Sequence, residues 1–305
     1  MSEAVFVRAV ERAAEAGIPV MMAGQGESLI HPRFDDFIPH FRRLGVPFAL
    51  TTNAALLTPE KSALLLSEQI LRVTFSVSDL GEDYEEVYNL DFETTRNHIR
   101  AFMDMSAGRC EVWISIVEHD INRSNIPDMR RYWEDQGVTG VHVFRQITRG
   151  GACQTGHYFL RSEKFRQEAE TLMASKGVSS LCNLAFIAPF VGWNGQYYIC
   201  CSDYEKVEPL GSVFDYSLAE LDDVKRQSIY QGNTACLKCN YDPVNVVREA
   251  MFEVEQGEAG SARVSNRLAV LLQQQQAHPE LYDVIDWRSE WEQRHGVSPV
   301  IASQK

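Results

Sequence analysis

The sequence lacks an excess of positive charge, a long apolar run and a secretory leader. Its formal net charge is −13 and its pI is near 5.1. Nucleic acids and anionic membranes attract basic surfaces, so neither is an expected partner. No apolar run is long enough to span a bilayer, and the first residues lack the basic segment and apolar core of a signal peptide. These absences predict a cytoplasmic protein.

Cysteine is scarce in the first 181 residues, where only Cys110 and Cys153 occur. The other five of the seven cysteines fall between Cys182 and Cys239. In a reducing compartment, cysteines serve as thiols or metal ligands more often than as disulfides. The uneven distribution therefore points to a metal or cluster site in the last 124 residues.

The spacing of these cysteines suggests a four-thiolate site. The segments 185–191 and 196–199 are rich in strand-forming residues, and Asn194-Gly195 between them is a strong hairpin signal. Cys201 would point to the opposite face from Cys200, because side chains alternate along a strand. We therefore predict a metal centre whose ligands are Cys182, Cys200, Cys236 and Cys239. Four thiolates suit zinc or an iron–sulfur cluster, and buried core cysteines are the alternative interpretation.

The first 160 residues alternate between short apolar strands and amphipathic helices. Five repeats of this alternation predict right-handed βαβ units and an α/β fold with a parallel sheet or barrel. The predicted strands are 18–23, 48–52, 72–77, 111–117 and 141–145, and the predicted helices include 2–16, 31–44, 92–105, 127–136 and 162–176.

The cysteine pattern resembles that of a known enzyme family. The pattern consists of a cysteine, twelve residues, a glycine, four residues, a second cysteine and then a distant Cys-x-x-Cys. It resembles the auxiliary-cluster region of radical S-adenosylmethionine enzymes with a SPASM or twitch domain. The full SPASM pattern contains further cysteines, whereas 240–305 has none, so the twitch-like form with one [4Fe–4S] cluster is the better match. The resemblance implies a partial (β/α)6 barrel over 1–160, a SPASM/twitch-like domain over 161–245 and a helical C-terminal extension over 246–305.

Three segments of the predicted barrel resemble the family's S-adenosylmethionine motifs. The segment 24–28, Gly-Gln-Gly-Glu-Ser, resembles Gly-Gly-Glu-Pro; 51–54 resembles Thr-Asn-Gly; and 76–79 resembles Ser-Ile-Asp-Gly. The residues that the resemblance assigns to cofactor binding are Gly24, Gly26, Glu27, Asn53 and Ser76. A solvated glutamate in a tight turn, a loop-capping asparagine and a strand hydroxyl are the alternative interpretations.

One motif of the family is missing. Its members carry Cys-x-x-x-Cys-x-x-Cys after their first strand, and this motif does not occur in the sequence. The first strand of the barrel is missing as well. We expect that the natural chain begins upstream of Met1, because a barrel without its first strand exposes a strand edge. Loss of the catalytic cluster is the alternative.

The resemblance implies an oxidoreductase or maturase. A complete protein would generate a 5′-deoxyadenosyl radical that oxidises or modifies a small molecule or peptide. Its auxiliary cluster would transfer electrons, and a flavodoxin or ferredoxin would donate them. A second [4Fe–4S] cluster is expected only if the missing motif lies upstream. The alternative is a non-catalytic relative that binds a cluster or zinc. No catalytic acid or base is predicted. The histidines His31, His98, His119 and His142 show no ligand spacing and are interpreted as ordinary surface or core residues.

Overall fold

The structure is a computed structural model that describes residues 1–68, 70–153 and 164–277. Its contacts group the chain into two units. The first comprises Met1–Gln146, Val191–Cys201 and Pro209–Val224, and the second comprises Ile147–Phe190, Ser202–Glu208 and the chain from Lys225 onward. The division into three consecutive domains stays a prediction, and residues 278–305 of the predicted extension lie outside the described residues.

The first unit is built on a parallel sheet of five strands that follow one another in chain order. The strands are β1 (Val20–Met22), β2 (Phe48–Thr52), β3 (Ile70–Ser76), β4 (Glu111–Glu118) and β5 (Gly140–Arg145). A parallel sheet whose strands lie in chain order, with helices between consecutive strands, is the arrangement of an open β/α barrel. The predicted α/β fold class and partial barrel are therefore confirmed.

One helix precedes these strands and the others connect them. They are α1 (Glu3–Ala16), α2 (Phe34–Phe37), α3 (Pro39–Leu44), α4 (Pro59–Leu66), α5 (Gly81–Tyr88), α6 (Phe92–Ser106) and α7 (Ile126–Asp135). Helix α1 begins at the cap Ser2, whose hydroxyl accepts the N–H of Val5, and ends at Gly17 with a φ of 66°. Both ends follow from ordinary capping chemistry.

The core of the first unit lies between the helices and one face of the sheet. Alternate strand residues such as Leu50, Val73, Phe75 and Ile114 are buried there against aromatic side chains of the helices. The opposite face carries the intervening side chains, which are more polar: Thr51, Thr74, Ser76, Ser115 and His142. A parallel sheet with one apolar and one polar face is typical of a barrel whose interior binds a ligand.

The predicted hairpin is shorter than the sequence suggested. Two short strands, β6 (Phe190–Val191) and β7 (Tyr197–Tyr198), flank a turn closed by Gly195, whose φ is 80°. The residues before Pro189, predicted as strand, instead form the short helix α9 (Leu184–Ile187). An apolar run of this length does not distinguish strand from helix, which is why the prediction was wrong.

The second unit is helical. Besides α9 it contains α8 (Arg166–Ser175), α11 (Thr234–Leu237), α12 (Pro243–Glu255) and α13 (Ala262–Ala277), whereas α10 (Leu218–Tyr230) belongs partly to each unit. A small core joins α8, α12 and α13 through the buried side chains Ala169, Met173, Val178, Val244, Val247 and Leu268. In the part of the chain that the structure describes, no helix is both long and apolar enough to cross a membrane.

A substitution at Gly140, at the start of β5, tests the packing between β4 and β5. It pairs with Trp113 of β4, and a Cβ at this position would lie 2.5 Å from Cζ3 of that indole ring. We expect Gly140→Ala to lower the free energy of unfolding by about 1–3 kcal/mol, because the ring must shift within packed surroundings. Gly260→Ala is the control, since its Cβ would meet nothing within 4 Å. Urea denaturation of both variants checks this prediction, and equal midpoints would contradict it.

Candidate functional site

The carboxyl ends of the parallel strands meet at one edge of the sheet in the first unit. The loop 23–28 follows β1, Asn53 follows β2, Val77–Asp79 follow β3 and His119 follows β4. Open parallel sheets and barrels bind ligands at this edge, because the loops there are free to vary while the strands hold them in place. We refer to this group of loops as the carboxyl edge.

Three hydrogen bonds hold the Glu27 carboxylate at the carboxyl edge. Its Oε1 accepts the backbone N–H of Leu29 and the hydroxyl of Thr52, both at 2.9 Å. Its Oε2 accepts the backbone N–H of Asn53, also at 2.9 Å. The carboxylate therefore joins the loop after β1 to the end of β2, and it is not the solvated side chain of the alternative interpretation.

The two glycines before Glu27 have backbone conformations that few other residues adopt. Gly24 has a φ of 133° and Gly26 a φ of 107°. A Cβ added at Gly26 would meet nothing within 4 Å. Open space beside a glycine backbone lets a ligand approach the main chain closely. The geometry of this loop therefore fits the predicted cofactor contacts.

The structure places Asn53 next to Glu27 and Ser76 further along the same edge. Asn53 Oδ1 accepts the backbone N–H of Ala55 at 3.0 Å, which closes a local turn. This is the loop-capping role of the alternative interpretation, although the side-chain amide nitrogen remains available for another contact. Ser76 is half-buried at the end of β3, opposite Ser115. Among the described residues, no hydrogen bond joins its side chain to Glu27.

The sequence analysis missed a histidine–carboxylate pair at this edge. His119 Nε2 lies 2.9 Å from Asp79 Oδ2, and the carboxylate is almost completely buried. Burial raises the pKa of Asp79, and the hydrogen bond with His119 opposes that shift. The only available signal was that both residues follow predicted strands.

In the second unit, Cys236 and Cys239 lie on one turn at the end of α11. The side-chain amide of Asn245 donates to the backbone oxygens of Cys236, Leu237 and Cys239 at 2.9–3.3 Å. The Sγ of Cys239 is buried and accepts the backbone N–H of Tyr241 at 3.4 Å. Burial raises the pKa of the Cys239 thiol, whereas the backbone N–H groups of Tyr241 and Gly150 lower it.

The donor chemistry of this turn fits an iron–sulfur or zinc site. N–H groups directed at a sulfur stabilise a thiolate, which is the form that binds metal. Nearby, a cavity of about 480 Å³ is bordered by Cys236 and by residues 179–181, which immediately precede Cys182. These observations concern only the second unit, whereas Cys200 belongs to the first.

Over residues 1–68, 70–153 and 164–277, no three or more His, Cys, Asp or Glu side chains are grouped so that they could hold a metal ion. The ligand set Cys182, Cys200, Cys236 and Cys239 therefore stays a prediction. Cys201, which the sequence analysis excluded, is exposed.

Comparison with solved structures identifies the fold. SuiB from Streptococcus suis bound to its precursor peptide SuiA superposes with a TM-score of 0.59 and 14% identity, over 81% of this chain and 66% of SuiB. The anSMEcpe structure with bound AdoMet gives a TM-score of 0.56 and 16% identity, over 93% of this chain and 90% of anSMEcpe. A further anSMEcpe structure with AdoMet and the Kp18Cys peptide gives 0.55 and 15%, over 93% and 90%.

These proteins are radical S-adenosylmethionine enzymes, and the chain has their fold. It spans about two thirds of the length of SuiB. No family model matches the sequence, and no curated protein is similar to it in sequence.

Proposed function

We propose that this chain, which shares the fold of radical S-adenosylmethionine enzymes, binds S-adenosylmethionine at the carboxyl edge and belongs to an enzyme that oxidises or modifies a small molecule or peptide. The observation that carries this proposal is the position of Glu27, which is fixed beside two glycines where the fold binds its ligand. Two structural neighbours support it, because SuiB is bound to its precursor peptide and anSMEcpe to AdoMet and a peptide.

The hydrogen bonds of Glu27 leave room for one more donor. An ionised carboxylate offers about four acceptor positions, and three of them are taken by Leu29, Thr52 and Asn53. The remaining position suits the ammonium group of S-adenosylmethionine, because a charge-assisted hydrogen bond is stronger than a neutral one. The glycines Gly24 and Gly26 allow the ligand to approach the backbone. Asn53 and Ser76 would contribute polar contacts from the neighbouring strands.

When bound, S-adenosylmethionine would supply the 5′-deoxyadenosyl group that abstracts hydrogen from the substrate. We further propose that Cys182, Cys200, Cys236 and Cys239 hold one auxiliary [4Fe–4S] cluster in a twitch-like domain. Two observations support this part of the proposal: the backbone N–H of Tyr241 donates to Cys239 Sγ, and the side-chain amide of Asn245 donates to the backbone oxygens of Cys236 and Cys239. The same thiolates would also accept zinc, which is the alternative for a non-catalytic binding protein.

Isothermal titration calorimetry of the full chain with S-adenosylmethionine tests the binding proposal. We expect one site per chain and a dissociation constant in the micromolar range, about −8 kcal/mol of binding free energy. ATP, which shares the adenosine group but carries no ammonium group, is the control ligand and should bind at least about tenfold more weakly. Equal affinity for both ligands, or no heat with either, would contradict the proposal.

Sequencing the genomic DNA upstream of the codon for Met1 tests the catalytic part. We expect an in-frame Cys-x-x-x-Cys-x-x-Cys, and we expect the product that includes it to release 5′-deoxyadenosine from S-adenosylmethionine after anaerobic reconstitution. A stop codon directly upstream would instead favour the non-catalytic alternative.

A further inference from the structure

The pair formed by His119 and Asp79 is a second polar arrangement at the carboxyl edge, separate from Glu27. Asp79 lies in the loop after β3, and His119 is the first residue after β4. Only 2% of the Asp79 side chain is exposed, compared with 20% for the His119 side chain. The pair thus consists of a buried carboxylate in contact with a partly exposed imidazole.

Several hydrogen bonds fix the loops that carry the pair. The amide of Asn122 donates to the backbone oxygens of Ser78 and Val117, at 2.7 and 2.9 Å. Its Oδ1 accepts the backbone N–H of His119 at 2.9 Å. The hydroxyl of Tyr88 donates to Ser78 Oγ at 2.7 Å. Because both loops are held on either side of the pair, the imidazole is positioned before any ligand arrives.

The contacts of the imidazole define which nitrogen is available. Nε2 faces Asp79, so it carries the proton when the imidazole is neutral and the carboxylate ionised. In the described residues, Nδ1 has no hydrogen-bond partner and remains an acceptor. A carboxylate that orients an imidazole and stabilises its protonated form is the arrangement of many acid–base sites.

We propose that His119 is a proton-transfer residue of the carboxyl edge, positioned by Asp79, for a ligand that presents a hydroxyl or ammonium group. The proton of that O–H or N–H passes to Nδ1 and forms an imidazolium, while the bonding electron pair stays on the ligand oxygen or nitrogen. No atom is oxidised or reduced in this step. The inference rests on the proposed function, because it places the ligand at the edge that would bind S-adenosylmethionine.

Other charges near the pair affect its titration. Asp83 of α5 acts on Asp79 through space and raises its pKa. Beside His119 in the chain, Arg123 forms ion pairs with Glu118 and Asp120, so the charges of these three residues partly cancel. Asp79 is therefore the main charge that faces the imidazole directly.

Nuclear magnetic resonance of the full chain, with histidine labelled on the ring, tests the role of Asp79. We expect the ring nitrogen chemical shifts to show the neutral imidazole of His119 protonated on Nε2, and Asp79→Ala to move that proton partly to Nδ1, because the variant removes the carboxylate that accepts from Nε2. The matched control is the pair of His40 and Glu3. The distance between His40 Nε2 and Glu3 Oε1 is 3.1 Å, but this carboxylate is exposed. Glu3→Ala should leave the proton of His40 on Nε2, because Arg43 Nε still donates to His40 Nδ1. A tautomer of His119 that does not depend on Asp79 would overturn the proposal.

Carbethoxylation by diethyl pyrocarbonate, followed by peptide mass spectrometry, tests whether the imidazole is reachable from the carboxyl edge. The reagent modifies unprotonated imidazole nitrogens. At about ten times its Kd, S-adenosylmethionine occupies about nine tenths of the sites, and we expect it to slow modification of His119 but not of His40. If calorimetry shows binding and His119 reacts at an unchanged rate, His119 does not face the ligand and the proposal fails. If S-adenosylmethionine does not bind, the proposed function fails, and the tautomer of His119 still decides whether Asp79 positions the imidazole.

Discussion

Replacing Cys239 by serine should abolish iron binding by the anaerobically reconstituted chain. We expect the unaltered chain to bind about four iron and four sulfide ions with a broad visible absorption, as a four-thiolate cluster requires. Cys239 is buried, and N–H groups of Tyr241 and Gly150 are directed at its sulfur. A serine hydroxyl at neutral pH does not ionise to replace the thiolate, so the cluster loses one of its four ligands. Iron and sulfide analysis of the purified variant measures the effect.

Cys201→Ser is the matched control for this series. It lies next to Cys200 but is exposed, and it is not one of the four predicted ligands. We expect Cys201→Ser to retain the full iron content and Cys200→Ser to lose most of it. Circular dichroism of each variant verifies that the fold is intact. If Cys201→Ser lost the cluster and Cys200→Ser kept it, the predicted ligand set would be wrong at this position. Zinc without sulfide in the unaltered chain would favour the zinc alternative.

The strands of the sheet could be predicted because their signals are local. β2 and β4 are short apolar runs, rich in Ile, Val, Phe or Thr, and bounded by turn residues, so they were identified within a residue or two. Capping residues also marked helix ends, as Ser2 does for α1. The segment before Pro189 was predicted incorrectly, because its apolar run has no period that separates strand from helix.

The site was harder to predict because its contacts join distant parts of the chain. Glu27 meets Thr52 and Asn53 only after β1 and β2 pair in parallel. Asp79 and His119 are 40 residues apart in sequence, and the pairing of β3 with β4 brings them together. Motif resemblance identified Glu27, but nothing in the local sequence around His119 distinguishes it from a surface histidine.

Glu27→Gln should weaken both the fold and the binding of S-adenosylmethionine. The amide keeps the shape of the side chain but replaces one acceptor oxygen by an NH₂ donor. Oε1 can keep the N–H of Leu29 and the hydroxyl of Thr52, but the NH₂ group then faces the N–H of Asn53. Leaving a partly buried N–H without an acceptor costs about 1–3 kcal/mol. We expect urea denaturation to show a loss of this size.

If Glu27 contacts the ligand, a loss of binding should accompany the loss of stability. An ammonium group paired with a carboxylate loses about 1.5–3 kcal/mol when the charge is removed, so the affinity for S-adenosylmethionine should fall by more than about tenfold. Glu118→Gln is the control, because Glu118 ends β4 at the same edge and pairs with Arg123, whose side chain is exposed. That pair contributes at most about 1 kcal/mol, so we expect little change in either measurement. A Glu27→Gln chain that is destabilised yet binds S-adenosylmethionine normally would restrict Glu27 to joining β1 and β2, and the ammonium group would then have to bind elsewhere on the carboxyl edge.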